Sequence, residues 1–423
     1  MSRSSFEART MPQPLILPDR DVPVLLVKVG HYPQHQGVVG AVRSFGRIGV
    51  PVYAMVEDRF TPTAVSRYLT GSFVRPFSGL EDPAAMVAAL RELGGAIGRP
   101  AVAVATDDEA AVLLAEHAGE LGEHFLLAPV PPALPRRLAD KDGLFRICRE
   151  HDVPTPDAWA PGGHEELLGI GRNHGYPLVL KNLEPFTRLR TPAVGHTTVV
   201  RDEAQLLELL PPGSQPSVLV QQYLPPEQAE DWFTHLWCPA DGSEPLVFTG
   251  LKLRSWPPGA GVTTRARALP NPVLADLAAV LCTRIGYRGV ADLDWRLDRR
   301  DGRYKLVDFN PRTGAQFRVF ETADGLDVVR ALHLDLTGRP VPRSPQRTRS
   351  FGVGQLDLPA AAVWAWQQRR LPPDILPRRG TERSWLTRDD PAPAAAEAVR
   401  FTGTVARRLR LALRRRLRTL RPC

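Results

Sequence analysis

The sequence predicts an α/β domain followed by an α+β region. Strand-like and helix-like segments alternate over the first 130 residues, which is typical of a parallel, doubly wound sheet. From about residue 131 to 340, helices mix with strands of antiparallel type, and the proline-rich segment Ala128–Pro135 separates the two regions. The length of 423 residues agrees with this division, because it allows roughly two to four domains.

Four segments predict the elements of the first domain. Val22–Gly30 is apolar enough for a buried strand, and Gly37–Val50 has helical spacing. Two more strands are expected at Val50–Val56 and Pro100–Thr106, with a helix between them. No G-x-G-x-x-G motif follows the first strand, so the sequence does not predict a dinucleotide site there.

Composition indicates an ordinary globular protein with sizeable cores. Apolar residues make up 43% and charged residues 24% of the chain, and no apolar run approaches the length of a membrane-spanning helix. The N-terminal segment lacks the apolar centre of a secretory signal, so we expect a cytoplasmic protein. The cysteines have neither metal-type spacing nor a disulfide pattern, which fits a reducing compartment. They are Cys148, Cys238, Cys282 and Cys423.

Polar side chains interrupt two strand-like runs between Gly289 and Gly314. They are Asp292, Asp294, Asp308 and Asn310. Carboxylates are depleted in strands, because they neither pack on a pleated face nor tolerate burial there. Simple alternation puts Asp292 and Asp294 on one face of the first run, and Tyr304 and Leu306 on the face of Asp308 in the second.

The length of the connecting loop decides whether the acids meet. A two-residue loop at 301–302 would pair Asp294 with Phe309, whereas a three-residue loop at 300–302, with Gly302 in the left-handed conformation, pairs Asp294 with Asp308. We predict the three-residue loop, because only that register puts both carboxylates on one face beside Asn310. The alternative is a surface hairpin with solvated acids.

Two neighbouring carboxylates and an amide oxygen form an oxygen-only ligand set. Adjacent carboxylates repel each other unless a cation compensates. Mg²⁺ suits such a set, because it takes few protein ligands and completes its shell with water and phosphate oxygens. Arg312, two residues beyond Asn310, could reach a phosphate in the same site.

The motifs of this hairpin resemble those of the ATP-grasp superfamily. "KLVDFNPRTG" is similar to the metal-binding strand of these enzymes, and "DLDW" to the earlier strand that supplies another acid. The resemblance implies a Rossmann-like domain at 1–130 and an ATP-grasp core at 131–340. The core would divide into subdomains at about 131–217 and 218–340, with a C-terminal extension at 341–423. Leu386–Ala398 resembles a segment of the D-aspartate-ligase-like branch.

The resemblance implies an ATP-dependent carboxylate–amine ligase. Such enzymes use ATP and Mg²⁺, or Mn²⁺, to join an acid to an amine through an acyl phosphate, with ADP and phosphate as products. The branch favours an amino acid or peptide as substrate. Asp294, Asp308 and Asn310 would be the metal ligands. A nucleotide-binding regulator without turnover and another phosphoryl-transfer enzyme on the same fold stay open as alternatives.

Further site residues follow from the resemblance alone. Lys141, in the first turn of a predicted helix, and Lys181, at the end of a strand, would contact ATP. The backbone of a hinge segment would bind adenine, and Glu230 or Asp231 would hold the ribose. The hinge residues are Gln221, Gln222, Tyr223 and Leu224.

Other cations are candidates for phosphate or substrate contacts. Lys252 and Arg254 alternate on one predicted strand face and, with Arg312, resemble the catalytic cations of the superfamily. Arg188 and Arg190 lie where members of the superfamily often have a glycine-rich lid and could supply charge there, and solvated loop arginines are the alternative. His31, His35 and Arg43 lie in the region that would face the carboxylate substrate, although solvated loop residues are the alternative for the histidines.

The positive charge of the chain is concentrated at its C-terminal end. Nine arginines and no acid fall between Arg400 and Cys423, so the rest of the chain carries −1 of the total of +8. Phe401–Leu420 has an apolar arc at helical spacing, which fits an amphipathic helix on an anionic membrane surface. Docking on the body of the protein and a disordered tail are the alternatives. The nearly neutral body makes nucleic acid an unlikely partner, and the sequence does not define an oligomeric state.

Overall fold

The computed structural model describes residues 18–183, 192–195, 197–214, 217–259, 261–372, 374–375 and 380–419. Within the last range, the side chains of 408, 409 and 411–419 are outside the description. Arg188 and Arg190 lie outside the described residues, as do the side chains of most of the apolar arc predicted for the tail.

The N-terminal domain contains a five-stranded parallel sheet with the order β3-β2-β1-β4-β5. Its strands are β1 (Val24–Val27), β2 (Val52–Val56), β3 (Gly71–Val74), β4 (Ala101–Ala105) and β5 (Phe125–Leu126). Its helices are α1 (Gln36–Gly46), α2 (Pro83–Ile97), α3 (Asp108–Glu116) and α4 (Ala118–Leu121). Both faces of β1 are buried, since Val24 and Leu26 pack in one cluster and Leu25 and Val27 in another. The predicted doubly wound domain is therefore present.

A four-stranded antiparallel sheet follows, with the order β6-β9-β7-β8. Its strands are β6 (Ala158–Trp159), β7 (Leu178–Asn182), β8 (Thr198–Val200) and β9 (Val218–Gln222). The helices of this region are α5 (Leu134–Ala139), α6 (Lys141–Glu150), α7 (His164–His174) and α8 (Glu203–Leu209). Apolar side chains of α7 and α8 pack against one face of this sheet, whereas those of α5 and α6 belong to the core beneath the large sheet.

The largest sheet has seven strands in the order β14-β13-β10-β11-β12-β15-β16. These strands are β10 (Ala229–Cys238), β11 (Leu246–Trp256), β12 (Val262–Ala268), β13 (Gly289–Asp298), β14 (Arg303–Asn310), β15 (Arg349–Gly352) and β16 (Glu382–Arg383). Helix α9 (Pro272–Arg284) packs on the face that carries Leu293 and Trp295. The opposite face shares a core with helix α10 (Val328–Leu336) and with α1, so the sheet and the N-terminal domain have one continuous interior.

The β13–β14 hairpin confirms one part of the predicted register and corrects another. Asp294 lies opposite Asp308, as predicted. The predicted three-residue loop is wrong, because the strands end at Asp298 and Arg303 with four residues between them. Between the pairs Trp295–Leu306 and Asp294–Asp308, Val307 is one extra residue in β14 and forms a bulge. The bulge shifts the pairing by one position, so that Asp294 lies opposite Asp308 and not Val307.

The bulge also changes which side chains of β14 share a face. Leu306 lies opposite the buried Trp295 and packs in the same core as Phe309. The prediction that Leu306 shares the face of Asp308 is therefore wrong. Simple alternation fails there because a bulge inserts one residue, so the residues before and after it no longer alternate between the faces in step.

The C-terminal region is built into both domains. Strand β15 extends the large sheet beside β12, and helix α11 (Gly354–Gln368) packs against β11. The final helix, α12 (Ala392–Thr419), begins on the N-terminal domain, where the buried Glu397 accepts hydrogen bonds from Gln34 and Gln355. Throughout the described residues, we find no helix with the length and apolarity needed to cross a bilayer.

Candidate functional site

Asp294 and Asp308 form the centre of a charged cluster on the hairpin. Each carboxylate is partly buried and has a lysine partner, at 2.6 Å from Asp294 to Lys252 Nζ and in a short contact from Asp308 to Lys141 Nζ. Burial raises the pKa of Asp294, and the negative charges of Asp292 and Asp308 raise it further, against the effect of Lys252. Because these neighbouring carboxylates repel one another, a cation bound between them would stabilise their ionised forms.

The bulge at Val307 presents a backbone carbonyl to the same cluster. Lys181, at the end of β7, donates a hydrogen bond from its Nζ to the Val307 oxygen at 2.7 Å. This lysine is only 8% exposed, and burial lowers its pKa to about 8 although Asp308 acts in the opposite direction. Lys181 thus connects the four-stranded sheet to the hairpin. Its lowered pKa means that it loses its proton at a lower pH than an ordinary lysine.

Helix α6 places Lys141 at the cluster. Asp140 caps the helix by accepting a hydrogen bond from the Gly143 amide at 2.6 Å. The Lys141 amide bonds the Leu183 carbonyl at 2.9 Å, which ties the start of the helix to the end of β7. A lysine in the first turn opposes the helix dipole, and its pairing with Asp308 compensates for that position.

A second group of charges adjoins the first through Asp292. His235 Nε2 lies 2.9 Å from Asp292 Oδ1, and Arg312 Nη1 lies 3.1 Å from Asp292 Oδ2. Although burial raises the pKa of Asp292, His235 and Arg312 hold it well below its usual range. Arg312 also pairs with Asp108 of the N-terminal domain at 3.3 Å, so this group lies where the two domains meet.

Asp292 and His235 are site residues that the sequence analysis did not assign. Asp292 shares the strand face of Asp294, and its spacing could have indicated it. His235 lies within the largely apolar strand β10 and is opposite Asp292 in the register. A Cβ at Gly314 would lie 2.5 Å from Asp292 Oδ2 and would also overlap the His235 ring, so only glycine allows the chain to pass so close to this pair.

The predicted nucleotide hinge covers the last two residues of β9 and the two residues after it. The Gln222 amide bonds the Asp157 carbonyl at 2.8 Å, and Leu224 is buried. A cavity of about 290 Å³ is lined by Gln222, Tyr223 and aromatic side chains of β6 and α7. In this lining, the rings of Trp159 and His174 stack on each other with centroids 4.1 Å apart.

The two acids predicted to hold the ribose have ion-pair partners. Glu230 lies 2.7 Å from Arg299 and also accepts a hydrogen bond from the Trp232 indole. The hydrogen bond from Arg299 lowers the pKa of Glu230. Asp231 lies 3.1 Å from Arg296. Both carboxylates are therefore held by arginines on the β13 side of the sheet.

Lys252 and Arg254 do not share a site in this structure. A register irregularity lies between them, which interrupts the alternation that predicted a common face. Lys252 contacts Asp294, whereas the buried Arg254 contacts Asp357 of α11 and Asp374, each at 2.8 Å. Of the pair, Lys252 is the member that reaches the carboxylate cluster.

Arg43 has a structural position rather than one that faces a substrate. Its guanidinium is 2% exposed and pairs with Asp390 at 2.9 Å. It also donates to the carbonyls of Ser384, Trp385 and Asp390. The prediction of Arg43 as a substrate contact is wrong, because these acceptors from the C-terminal segment surround it.

The chain is similar in sequence to two known proteins. It is 25% identical over 344 residues to a D-aspartate ligase of Enterococcus faecium (strain Aus0004), and the match covers 77% of this chain and 79% of that protein. It is 22% identical over 218 residues to the arginine-specific carbamoyl phosphate synthase large chain of Geobacillus stearothermophilus, with 48% and 19% covered. No family model matches the chain.

Solved structures resemble it over a similar share. The N5-carboxyaminoimidazole synthetase of Staphylococcus aureus has a TM-score of 0.57 at 12% identity, and covers 77% of this chain and 79% of its own. The biotin carboxylase domain of Hydrogenobacter thermophilus 2-oxoglutarate carboxylase, solved with MgADP, has a TM-score of 0.54 at 15% identity, with 76% and 71% covered. At these identities the similarity shows the fold alone. The fold is the predicted ATP-grasp fold.

Proposed function

We propose that this chain, an ATP-grasp protein related to carboxylate–amine ligases, joins the carboxylate of an amino acid or peptide to an amine through an acyl phosphate. ATP and Mg²⁺ are the proposed cofactors, and ADP and phosphate the products. The observation that carries the proposal is the pairing of Asp294 with Asp308 in the hairpin register. Lys141 and Lys252 pair with these two carboxylates, and Lys181 bonds the Val307 carbonyl beside them.

The residues present fit a magnesium ion. Asp294, Asp308 and Asn310 provide two carboxylates and an amide on one side of the hairpin, which is a hard oxygen ligand set. The Asn310 amide nitrogen donates to the Asp292 carbonyl at 3.1 Å, so its oxygen points elsewhere. Among the described residues, no group of three or more His, Cys, Asp or Glu side chains is arranged to hold a metal ion. When bound, Mg²⁺ would offset the charge of the phosphate oxygens.

The cations of the site would perform the electrostatic part of the reaction. A carboxylate that attacks the γ-phosphate of ATP brings two anions together, so catalysis depends on fixed positive charge and positioning. We assign Lys141 and Lys181 to the phosphates, and Lys252 and Arg312 to the phosphate and the acid substrate. The amine then displaces phosphate from the acyl phosphate, and no nucleophilic side chain is required.

The hinge residues Gln221, Gln222, Tyr223 and Leu224 are proposed to bind adenine beside the aromatic cavity. Glu230 or Asp231 would hold the ribose after exchanging an arginine contact for the sugar hydroxyls. We give Arg254 a supporting role, because its charge is matched by Asp357 and Asp374.

An ADP-release screen tests the function. Purified protein is incubated with ATP, Mg²⁺ and pairs of amino acids, and products are identified by mass spectrometry. ADP and phosphate in equal amounts with a new amide support the ligase. ATP binding without ADP release would indicate a regulator, and a phosphorylated product another phosphoryl-transfer enzyme.

The proposed location is the cytoplasm, with the tail at the inner face of the membrane. Glu397 and Arg400 hold the start of α12 on the N-terminal domain, where Arg400 pairs with Asp58. Val399 and Val405 are exposed on the same helix, and the sequence beyond them is rich in arginine. Each cation near an anionic surface contributes about 1 kcal/mol.

Vesicle sedimentation tests the membrane proposal. The full chain and a shortened chain that ends at Arg400 are mixed with anionic and with neutral vesicles at moderate salt. We expect the full chain alone to sediment with anionic vesicles. Equal sedimentation of both chains would show that the tail is no anchor.

A further inference from the structure

Helix α11 is apolar on two sides, of which only one packs on the body of the protein. On the inner side, Ala360 and Ala361 are buried, and the helix packs against β11. On the other side, Leu358 is 70% exposed and Trp366 is 81% exposed. A helix that is apolar all round is normally covered on every side, so the exposed side of α11 needs an explanation.

The exposed side chains of α11 lie in one row. Leu358, Ala362 and Trp366 are exposed and follow one another at a spacing of four residues, which places them on one side of a helix. We call this row the outer side of α11. Leu371, which is 72% exposed, follows shortly after the helix ends. Single exposed apolar side chains are common, whereas a row of them on one element indicates an interaction site.

The charges of this segment are divided between its two sides. Its acids, Asp357 and Asp374, both pair with the buried Arg254 at 2.8 Å. The arginines that follow the helix, Arg369 and Arg370, are exposed. The negative charges of the segment are therefore used inside the protein, and the charge that it presents to the outside is positive.

The end of α11 holds an arginine beside a tryptophan. Arg369 caps the helix in the left-handed conformation, at φ +52°, which is uncommon for a residue with a side chain. The next guanidinium, that of Arg370, lies 5.5 Å from the centroid of the Trp364 ring. Tryptophan together with arginine is typical of a membrane interface, where the rings lie at the level of the headgroups and the cations attract anionic lipids.

The positive charge also decides between possible occupants of this side of the helix. A second copy that used the same surface would bring its own arginines against Arg369 and Arg370, because a twofold interface pairs like patches. The arginine-rich tail would be repelled in the same way. An anionic bilayer has the opposite charge, and it also offers an apolar layer to Leu358 and Trp366.

The outer side of α11 adjoins the helix that carries the tail. Gln355, in the first turn of α11, donates a hydrogen bond to Glu397 of α12 at 2.9 Å. Leu356 and Ala394, one from each helix, pack against the same core. The two helices therefore begin side by side, and a membrane that binds one of them lies close to the other.

We propose that the outer side of α11 contacts an anionic lipid bilayer, with Leu358, Trp366 and Leu371 in the apolar boundary and Arg369 and Arg370 at the lipid phosphates. This contact adds a second point of attachment to the proposed membrane location and does not depend on the ligase reaction. At moderate salt it supports the tail and does not replace it, because screening weakens the attraction of the two arginines.

Tryptophan fluorescence of the full chain measures this contact. All eight tryptophans of the chain lie in the described ranges, and those other than Trp366 are buried or partly buried. Vesicles of phosphatidylglycerol and phosphatidylcholine with brominated acyl chains should quench the wild type at low ionic strength, because bromine quenches rings that lie close to it. Vesicles of phosphatidylcholine alone should not. In Trp366→Phe most of the quenching should disappear.

The affinity for the anionic vesicles gives a second measure. Trp366→Ser and Leu371→Ser should each weaken binding about tenfold. Arg369→Gly suits the left-handed conformation and should weaken binding about fivefold. Val273→Ser is the matched control, because Val273 is 68% exposed on α9 but has the exposed Asp276 one turn further on. The control should keep the wild-type affinity, and no variant should lower the Tm.

Several outcomes would overturn the inference. They are no binding of the full chain to anionic vesicles, equal quenching of the wild type and Trp366→Phe, wild-type affinity in both serine variants, and equal binding to neutral and anionic vesicles. A wild-type dimer that Trp366→Ser converts to a monomer, seen by light scattering without lipid, would show that a second copy covers the surface instead. Failure of the ligase function is a separate result, because it appears only in the ADP-release screen.

Discussion

Replacement of Lys181 by methionine tests the role of the buried lysine at the bulge. The methionine side chain is one atom shorter and uncharged, so the hydrogen bond from Nζ to the Val307 carbonyl disappears. The proposed hydrogen bond from Lys181 to an ATP phosphate is lost as well, and hydrogen bonds to charged groups contribute about 1.5–3 kcal/mol. Since about 1.4 kcal/mol corresponds to a factor of ten, we expect ATP to bind roughly ten- to a hundredfold more weakly at pH 7.

The pH dependence gives a second measure of the same group. With a pKa of about 8, Lys181 is mostly charged at pH 7 and only about one-tenth charged at pH 9. If ATP requires the charged form, its affinity for the wild type falls by about tenfold over this interval. In Lys181→Met this part of the pH dependence is absent.

Stability should change with pH in the opposite sense. The pKa of Lys181 is lowered in the folded protein from its ordinary value of 10.5, so between about pH 8 and 10.5 the unfolded chain binds more protons. The contribution of this group to stability therefore rises with pH across that window. Urea unfolding of the wild type and of Lys181→Met at several pH values measures it.

Calorimetric titration with ATP and Mg²⁺ at constant ionic strength is the assay. Lys305→Met is the control, because Lys305 lies on the same hairpin and pairs with Asp298 at 2.8 Å. The control should keep the wild-type affinity and its fall between pH 7 and 9. An unchanged ATP affinity in Lys181→Met, with a pH profile like that of the wild type, would refute the assignment of Lys181 to the phosphates.

Three further substitutions test other parts of the structure. Asp308→Asn changes charge and not volume, so ADP formation should fall by about 10²–10³ with an unchanged circular dichroism spectrum; wild-type turnover would remove Asp308 from the metal site. Asp390→Ala leaves the buried Arg43 without its carboxylate, and urea unfolding should show a loss of about 3–5 kcal/mol; a loss below about 1 kcal/mol would contradict the buried pair. Gly314→Ala forces the His235–Asp292 pair apart, so ADP release should fall while the fold persists, and a wild-type rate would show that this pair can shift without consequence.

The sequence was sufficient to predict the pairing of Asp294 with Asp308, but not the path of the chain that produces it. Alternation and the Asp-Gly turn restrict the register to few choices. Gly302 does adopt the left-handed conformation, at φ +70°. The loop is longer than predicted because the Asp298 carboxylate accepts from the Arg300 amide at 3.0 Å, and such local bonds compete with the ladder. The bulge at Val307 then compensates for the extra residue.

Contacts between distant segments were beyond sequence reasoning. Arg43 has the residue type of a substrate contact, and only the folded chain shows that Asp390 and three carbonyls enclose it. The pairing of His235 with Asp292 depends on the register of β10 against β13, which a single sequence does not specify. The predicted extension at 341–423 likewise supplies strands β15 and β16 to the large sheet, although those strands are short and separated by α11.

The bond between Arg43 and Asp390 joins residues 347 positions apart, and this separation affects how the protein is made. Ribosomes add about 5–20 residues per second, so α1 waits on the order of half a minute for the partner of its buried arginine. Contacts of such long range also slow folding, because a large loop must close before they form. During synthesis, the N-terminal domain therefore exposes a face that only the last part of the chain covers, and in that interval chaperones have a defined surface to protect.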